Sequence, residues 1–257
     1  VEVEMSIQDK FKNYPVPDFI WNEYWESEAI NDRGALIDVE LATNAISINE
    51  KVTSELFEQM KEITSVDNPN SVSQLKDWLT SNGCEVDSLG KKAIKELKKN
   101  NNDDLVGSVI ELRELTCKSS IKKYEAMTAS VSEDNRARGL FSFASCKTLR
   151  FASKRIQLQN LKRNELPDLK EARELVKTNN LEALELLYDD IPDVLSQLVR
   201  TAIIPKKGCK FIVSDFSSIE ARVLAYLADE KWRINAFKEG KDIYCESASQ
   251  MFGVPVE

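Results

Sequence analysis

Carboxylates are the side chains best suited to chemistry in this sequence, because the chain contains no histidine. Without an imidazole base, the Ser-His and Cys-His arrangements that activate nucleophiles are excluded. Asp215 lies near the end of an apolar run over Lys210–Phe216 that predicts a short buried strand. A carboxylate at the carboxyl end of a rigid strand can hold a divalent cation for phosphoryl transfer. The alternative is that Asp215 caps a helix beginning at Ser217.

The five cysteines offer no further metal site, since they are scattered, form no CxxC pair and have no histidine to complete a zinc site. We expect them to be thiols in a reducing cytosol. The chain opens VEVEM, which lacks the basic start of a signal peptide, and no apolar run is long enough to span a bilayer. Any catalysis should therefore depend on carboxylates and the metal ions that they bind.

The charge distribution points to a phosphate-binding surface. The net charge is −8, yet residues 135–164, called here the basic segment, hold eight basic residues and no acidic one. A local basic stripe on an acidic body is typical of a nucleic-acid groove. A solvated loop with incidental basic residues is the equally open alternative. The eight are Arg136, Arg138, Lys147, Arg150, Lys154, Arg155, Lys162 and Arg163.

Helical periodicity dominates the rest of the chain, and we expect an α+β fold, mostly helical, with a short sheet. Asp32-Arg33-Gly34 predicts a turn, and Ser71 with Gln74 forms a capping box that predicts a helix start. The predicted helices are Asn49–Thr64, a segment from Ser71 to Asn82, Lys91–Lys99, a long stretch over 105–127, Leu169–Thr178, Leu181–Leu187, Pro192–Ile203, one through Ile219 and Leu227, and Ile243–Phe252.

Four stretches resemble family A DNA polymerases, the DNA polymerase I family. SDFSSIEARVLAYLA (214–228) resembles the first palm motif, D-[YF]-S-x-I-E-x-R. TLRFASKRIQLQNLKRN (148–164) is similar to the T-G-R…LQN segment that contacts the primer end. INDRGALID (30–38) and GKDIYCESASQMFGVPVE (240–257) resemble the stretches that lead into the thumb and follow the palm motif. The matches occur in the family's order, and the long helical stretch after Asn164 indicates the phage type.

The resemblance implies a role for each matched residue. Asp215 would ligate two Mg²⁺ ions with help from the carbonyl of Phe216, and Glu220 would exclude a ribose 2′-hydroxyl. Nucleotide-binding residues would be Ser217, Glu220 and Tyr244, the last at a position that is often histidine. The implied DNA-binding residues are Thr148, Arg150, Lys154, Arg155, Gln159, Asn160 and Arg163, with Lys118 and Lys122 on a thumb face that also carries Lys123.

Two positions depart from the family pattern. Leu149 stands where a glycine usually precedes the arginine, and Ser153-Lys154 replaces a common Gly-Arg pair. Glycine at such places permits positive φ or close backbone approach. We therefore expect an altered local backbone near the primer end.

The resemblance also implies a domain plan: residues 1–45 follow an exonuclease region and enter the palm, 46–134 form a helical thumb, and 135–257 form the first part of the palm. The exonuclease region would precede Val1. The nucleotide-binding helix, the rest of the palm and a His-Asp-Glu motif would follow Glu257. Since one carboxylate cannot hold two metal ions alone, we expect this chain by itself not to polymerise.

The expected parent is a DNA-directed DNA polymerase encoded by a phage or prophage and working in the bacterial cytoplasm. It would use primer-template DNA, dNTPs and two Mg²⁺ ions, without a membrane partner. Two alternatives stay open: a helical nucleic-acid-binding module without catalysis, and a metal-dependent nuclease built on Asp215.

Overall fold

The computed structural model describes residues 1–100, 103–116 and 121–255. The chain divides into two compact units, Val1–Lys207 and Gly208–Glu257. Helices predominate, and the sheet structure in the described residues consists of two pairs of two-residue strands. This confirms the predicted fold class, α+β and mostly helical.

Ten helices are described in the first unit, which also contains both strand pairs. The helices are α1 Glu2–Phe11, α2 Asp18–Arg33, α3 Val39–Thr64, α4 Val72–Ser81, α5 Lys91–Asn100, α6 Asp104–Thr116, α7 Ile121–Thr128, α8 Leu169–Lys177, α9 Leu181–Leu187 and α10 Ile191–Leu198. Strands β1 Ala35–Leu36 and β2 Arg136–Ala137 pair antiparallel, as do β3 Phe141–Ser142 and β4 Ala152–Ser153.

The centre of the first unit is α3. Its buried residues Leu41, Ala45, Ile48 and Val52 recur every three or four positions, so one face of the helix lies in the core. This face belongs to one apolar cluster with residues of α7, α8 and α10. The buried Tyr124 hydroxyl of α7 donates to the carbonyl of α10 residue 195 at 2.7 Å, and burial raises the pKa of this phenol. Helices α3–α7 form what is called here the helical lobe, and this bond fixes its base to the helices that follow it.

α3 begins at Val39, earlier than the predicted start at Asn49, because Asp38 caps it. The Asp38 carboxylate accepts a hydrogen bond from the Leu41 N–H at 3.2 Å and pairs with Arg173 and Lys177 of α8, the latter at 3.1 Å. Burial alone would raise the pKa of Asp38, but the Leu41 hydrogen bond and the two cations outweigh it and hold the pKa below its ordinary value.

A second apolar cluster holds the far part of the helical lobe together. It combines Met60 of α3 with residues of α4, α5 and α6, among them Leu75, Leu79 and Val109. The predicted cap of α4 is confirmed, since Ser71 Oγ accepts from the Gln74 N–H. The stretch predicted as one helix over 105–127 is seen as α6 and α7, with residues 117–120 outside the described part.

The later helices of the first unit follow the sequence pattern closely. α8 and α9 match their predicted ranges, and Pro192 lies in the first turn of α10 as expected. The predicted helix to Ile203 continues beyond α10 as a 3₁₀ helix, Val199–Ala202.

The predicted turn at Asp32-Arg33-Gly34 is seen only at Gly34, because Asp32 and Arg33 are the last two residues of α2 and Gly34 links this helix to β1. Gly34 has φ +63°, and a Cβ there would lie 2.4 Å from the Ala137 carbonyl oxygen. A glycine is therefore required for β1 to pair with β2 at this point.

The second unit contains α11 Ile219–Leu227, α12 Lys231–Lys238 and α13 Ile243–Phe252. α13 has the predicted bounds, but the predicted strand over Lys210–Phe216 is wrong. This stretch has no regular secondary structure, and Ile212 and Val213 are 87% and 90% exposed. A strand requires hydrogen-bonding partners for its backbone, and no strand in the described residues pairs with residues 210–216.

The boundary between the two units, at 207/208, falls in a turn formed by Lys207 and Gly208 rather than at a predicted domain boundary. The predicted boundary at 45/46 falls inside α3. The assignment of 46–134 to a thumb and 135–257 to a palm stays a prediction.

Candidate functional site

Two strands in the basic segment form a hairpin that is anchored to α2. Phe141 of β3 lies opposite Ser153 of β4, and residues 143–151 form the connecting loop. The Asn31 side chain bonds the Phe141 backbone twice, because its Nδ2 donates to the carbonyl and its Oδ1 accepts from the N–H, both at 3.0 Å. The Phe143 ring in the loop also packs edge-on against Tyr24 of α2. The hairpin therefore has a fixed base.

The tip of the hairpin exposes Thr148, Leu149 and Arg150. The Leu149 N–H donates to the Cys146 carbonyl at 2.9 Å, and the Ser145 N–H donates to the Arg150 carbonyl at 3.1 Å. Leu149 adopts φ +58°, the left-handed conformation that glycine adopts freely. Leucine therefore adopts here a backbone conformation that glycine would adopt without strain, and the expected change relative to the family stays a prediction.

The thiol of Cys146 lies 3.0 Å from Thr148 Oγ1 inside this tip. This hydrogen bond, together with the Arg150 backbone, lowers the pKa of the Cys146 thiol. The Thr148 hydroxyl thus helps to shape the loop beside Arg150.

After β4 the chain turns twice and exposes the predicted Gln-Asn pair. The Gln157 N–H donates to the Lys154 carbonyl at 3.1 Å, and Leu158–Asn160 form a short 3₁₀ helix. The buried side chains of Ile156 and Leu161 anchor this stretch on its two sides, whereas Gln159 and Asn160 are exposed. The turn thus presents polar groups on a surface supported by apolar residues.

The eight basic residues of the basic segment divide into two groups. Arg136 donates to the carbonyls of Arg33 and Gly34, and Lys162 Nζ lies 2.6 Å from Asp193. Arg138 forms a two-fold contact with Asp134, which lowers the pKa of that carboxyl to about 2. These three basic residues make contacts within the protein that stabilise the fold.

The remaining basic residues face solvent. Lys147, Lys154, Arg155 and Arg163 are exposed and form no ion pair with the residues that the structure describes. Arg150 is exposed as well. The predicted DNA-binding residues of this segment therefore all lie at the surface, and the sequence pattern alone did not separate them from the structural arginines.

The predicted lysine face of the thumb is seen only in part, because Lys118 lies outside the described residues. Lys122 is exposed on α7. Its neighbour Lys123 instead donates from Nζ to the Ile156 carbonyl at 3.0 Å and to Gln157 Oε1 at 3.2 Å. Helical spacing gave no signal for this contact, which joins residues far apart in sequence.

In the second unit, Asp215 precedes a tight turn into α11. The Ile219 N–H donates to the Phe216 carbonyl at 3.3 Å, and Ser218 has φ +52°. Arg222 steadies the turn, because its Nε donates to the Ser217 carbonyl at 2.8 Å and its guanidinium lies over the Phe237 ring. The turn is therefore held by the helices that follow it.

The Asp215 carboxylate is exposed and does not cap α11. Ser218 occupies the cap position, and no side chain in the described residues accepts from the first N–H groups of this helix. The capping role that competed with metal binding is therefore wrong for Asp215. Its prediction as a metal ligand stays untested, and the buried strand expected behind it is not formed.

Tyr244 lies on the first turn of α13 with 83% of its surface exposed. Asp242 caps this helix by accepting from the N–H groups of Cys245 and Tyr244 at 3.1 and 2.7 Å, and these bonds lower the pKa of Asp242. Glu220 is exposed on the first turn of α11. Two of the three predicted nucleotide-binding side chains thus lie on the first turns of helices in the second unit, and the third, Ser217, is exposed just before α11.

The donor set for a magnesium ion is partly present. The Asp215 carboxylate and the Phe216 carbonyl are hard oxygen ligands of the kind that Mg²⁺ prefers. No group of three or more acidic, histidine or cysteine side chains that could hold a metal occurs in the described residues. Asp215 and Phe216 therefore fit as one part of a coordination shell.

Comparison with known proteins decides the family. The model of DNA polymerase family A matches residues 40–257. The chain belongs to this family. The DNA polymerase of Bacillus phage SP02 is 46% identical over 258 residues, which is 100% of this chain and 40% of that protein. These matches confirm both the resemblance to family A and the relation to a phage enzyme.

Other members of family A match more locally. Thermostable DNA polymerase I of Thermus aquaticus is 48% identical over 63 residues, 24% of this chain and 8% of that protein. The solved POL domain of Pol1 from M. smegmatis, in complex with DNA primer-template and dNTP, has a TM-score of 0.56 at 18% identity. It covers 87% of this chain and 36% of that domain's chain, which supports the fold.

The chain thus spans well under half of the length of these family A relatives. Within the described residues, the helices are too short or too polar to cross a membrane.

Proposed function

We propose that this chain carries the primer-holding part and the first metal-binding motif of a DNA-directed DNA polymerase. The reaction is template-directed transfer of nucleotides from dNTPs to the 3′ end of a primer. The observation that carries the proposal is the exposed Asp215 in the family-matched region, because the fold does not use this carboxylate as a cap. We also propose that the protein acts in the cytoplasm of a bacterial host.

In this proposal the basic segment holds the primer-template duplex. Lys154, Arg155 and Arg163 neutralise phosphates, which sets position without reading sequence. Arg150 reaches the minor groove at the primer end, where every base pair offers an acceptor at N3 or O2. A donor at that place tests the shape of the pair and suits an enzyme that copies any sequence. Their exposure on an anchored hairpin and turn supports these roles.

Three further exposed side chains extend the DNA surface. Thr148 contacts the primer strand beside the hairpin tip, and Gln159 and Asn160 bind backbone or base edges near the primer end. On the helical lobe, Lys122 contacts duplex phosphates, and Lys118 is proposed for the same role. Residues 46–134 would then form the thumb and 135–257 the first part of the palm.

Nucleotide addition is proposed at the turn before α11. Asp215 and the Phe216 carbonyl would hold Mg²⁺, which supplies activation of the primer hydroxyl and stabilisation of charge on the phosphates. Ser217 and Tyr244 line the place of the incoming dNTP, and Glu220 occupies the space of a ribose 2′-hydroxyl. Further carboxylates must complete the two-metal site, so this 257-residue chain by itself is expected not to extend a primer.

The test is primer extension by the full-length gene product with the substitution Asp215→Asn. We expect this variant to bind primer-template with unchanged affinity and to lose extension by a factor on the order of 10³ or more, because the amide is a poor metal ligand. Asp229→Asn is the matched control, an exposed acid of the same unit whose partner is Lys231. Extension by Asp215→Asn at the control's rate would refute the proposal.

A further inference from the structure

Lys123, which is half-buried on α7, contacts the basic segment. Its ammonium group donates to the Ile156 carbonyl at 3.0 Å and to Gln157 Oε1 at 3.2 Å. These bonds join α7 of the helical lobe to the turn that precedes the exposed Gln159 and Asn160. Charged donors form stronger hydrogen bonds than neutral ones, so the contact is suited to fixing a backbone.

The turn that Lys123 contacts has a strained backbone. Arg155 and Gln157, on either side of the buried Ile156, both have φ +55°, a conformation that is uncommon for residues other than glycine. Such a conformation persists only where surrounding contacts determine it. The Ile156 carbonyl receives its hydrogen bond from Lys123, not from a backbone N–H of the described chain.

We propose that Lys123 is a positioning residue for primer binding: it fixes the 154–157 turn so that Gln159 and Asn160 are presented in one geometry. Lys123 itself then contacts no phosphate, unlike its exposed neighbour Lys122. The effect of Lys123 on primer binding rests on the proposed function. The contact between Lys123 and the 154–157 turn does not depend on that function and is tested by itself. It gives the helical lobe a direct connection to the primer-binding surface.

The first experiment measures backbone hydrogen exchange of the full-length gene product. Lys123→Met keeps the aliphatic stem and removes the donors, and Lys123→Arg restores donors. We expect exchange over 154–161 to rise by about tenfold in Lys123→Met, to return in Lys123→Arg, and to stay unchanged in the matched control Lys122→Met. Unchanged exchange in Lys123→Met would overturn the proposal.

The second experiment separates positioning from phosphate binding. In primer extension, Lys123→Met should lower kcat by about tenfold to a hundredfold, because a misplaced primer end reacts slowly. Its salt dependence of DNA affinity should stay that of the wild type, whereas Lys122→Met should lower the slope by about 0.9. A smaller slope of log affinity against log salt in Lys123→Met would show that Lys123 contacts phosphates and would refute the proposal. Absence of extension by the wild type would refute the proposed function alone, since hydrogen exchange still tests the turn.

Discussion

Salt dependence of DNA binding provides a quantitative test of the division among the basic residues. The substitutions are Lys154→Gln, Arg155→Gln and Arg163→Gln in one variant of the full-length gene product. These three side chains are exposed and form no ion pair within the described residues. Each phosphate contact contributes about 0.9 to the slope of log affinity against log salt, so the triple variant should lose about 2.7.

The assay is fluorescence anisotropy of a labelled primer-template duplex in KCl between 50 and 200 mM. Over this fourfold range, a slope difference of about 2.7 means that the wild type loses about 40-fold more affinity than the triple variant. The two proteins should therefore differ strongly at low salt and converge at high salt.

Lys162 and Arg163 are a matched pair for this assay, since they are adjacent and differ in their partners. Lys162 Nζ lies 2.6 Å from an Asp193 carboxylate oxygen, whereas Arg163 forms no ion pair with the residues that the structure describes. Arg163→Gln should lower the slope by about 0.9, and Lys162→Gln should leave it unchanged. Equal effects of the two substitutions, or an unchanged slope in the triple variant, would refute the reasoning.

Three further predictions concern stability, measured by urea unfolding of this chain. Asp38→Asn should lower the free energy of unfolding by about 2 kcal/mol. This is less than the usual cost of breaking a buried ion pair, because Arg173 and Lys177 are partly exposed and retain Glu174 and Glu40 as partners. Because the pKa of Asp38 is lower in the folded protein than in the unfolded chain, its stabilising contribution is fully present above about pH 4 and is lost as the pH falls through the folded pKa. A stability difference from Asp38→Asn that does not shrink as the pH falls below about 4 would contradict this. Leu149→Gly should raise the free energy of unfolding by between zero and about 1 kcal/mol, because glycine adopts the positive φ of this position without strain and the leucine side chain is already 53% exposed. A decrease in the free energy of unfolding of more than about 1 kcal/mol would contradict the presence of strain. Asn31→Ala should lower the free energy of unfolding by about 1–2 kcal/mol, because it removes two hydrogen bonds to the Phe141 backbone of the hairpin. An unchanged free energy of unfolding would show that these bonds do not stabilise the hairpin.

Local signals in the sequence were sufficient where a helix carries its own start or stop. Ser71 predicted the cap of α4, and the Gly253 stop gave the end of α13. These signals act within a few residues, so they can be recognised without knowledge of the fold. The early start of α3 was missed because Asp38 lies among apolar residues and its partners, Arg173 and Lys177, come from a distant helix.

Features that depend on distant partners could not be predicted in this way. The Lys210–Phe216 stretch has strand composition, but composition supplies no partner strand, and none pairs with it in the described chain. The β3–β4 hairpin was also missed, since its strands have two residues each and its tip uses Leu149, not a glycine, at positive φ. The motif resemblance predicted the site residues, and those roles stay predictions, whereas the structure shows Arg136 and Arg138 bonded within the fold.

The most direct test of the central claim is the number of Mn²⁺ ions bound, counted by electron paramagnetic resonance. The sample is the full-length gene product with a dideoxy-terminated primer-template and the matching dNTP, after subtraction of ions bound to DNA and dNTP alone. We expect at least one fewer tightly bound ion in Asp215→Asn than in the wild type and Asp229→Asn. Equal numbers in all three proteins would contradict the assignment of Asp215 as a metal ligand.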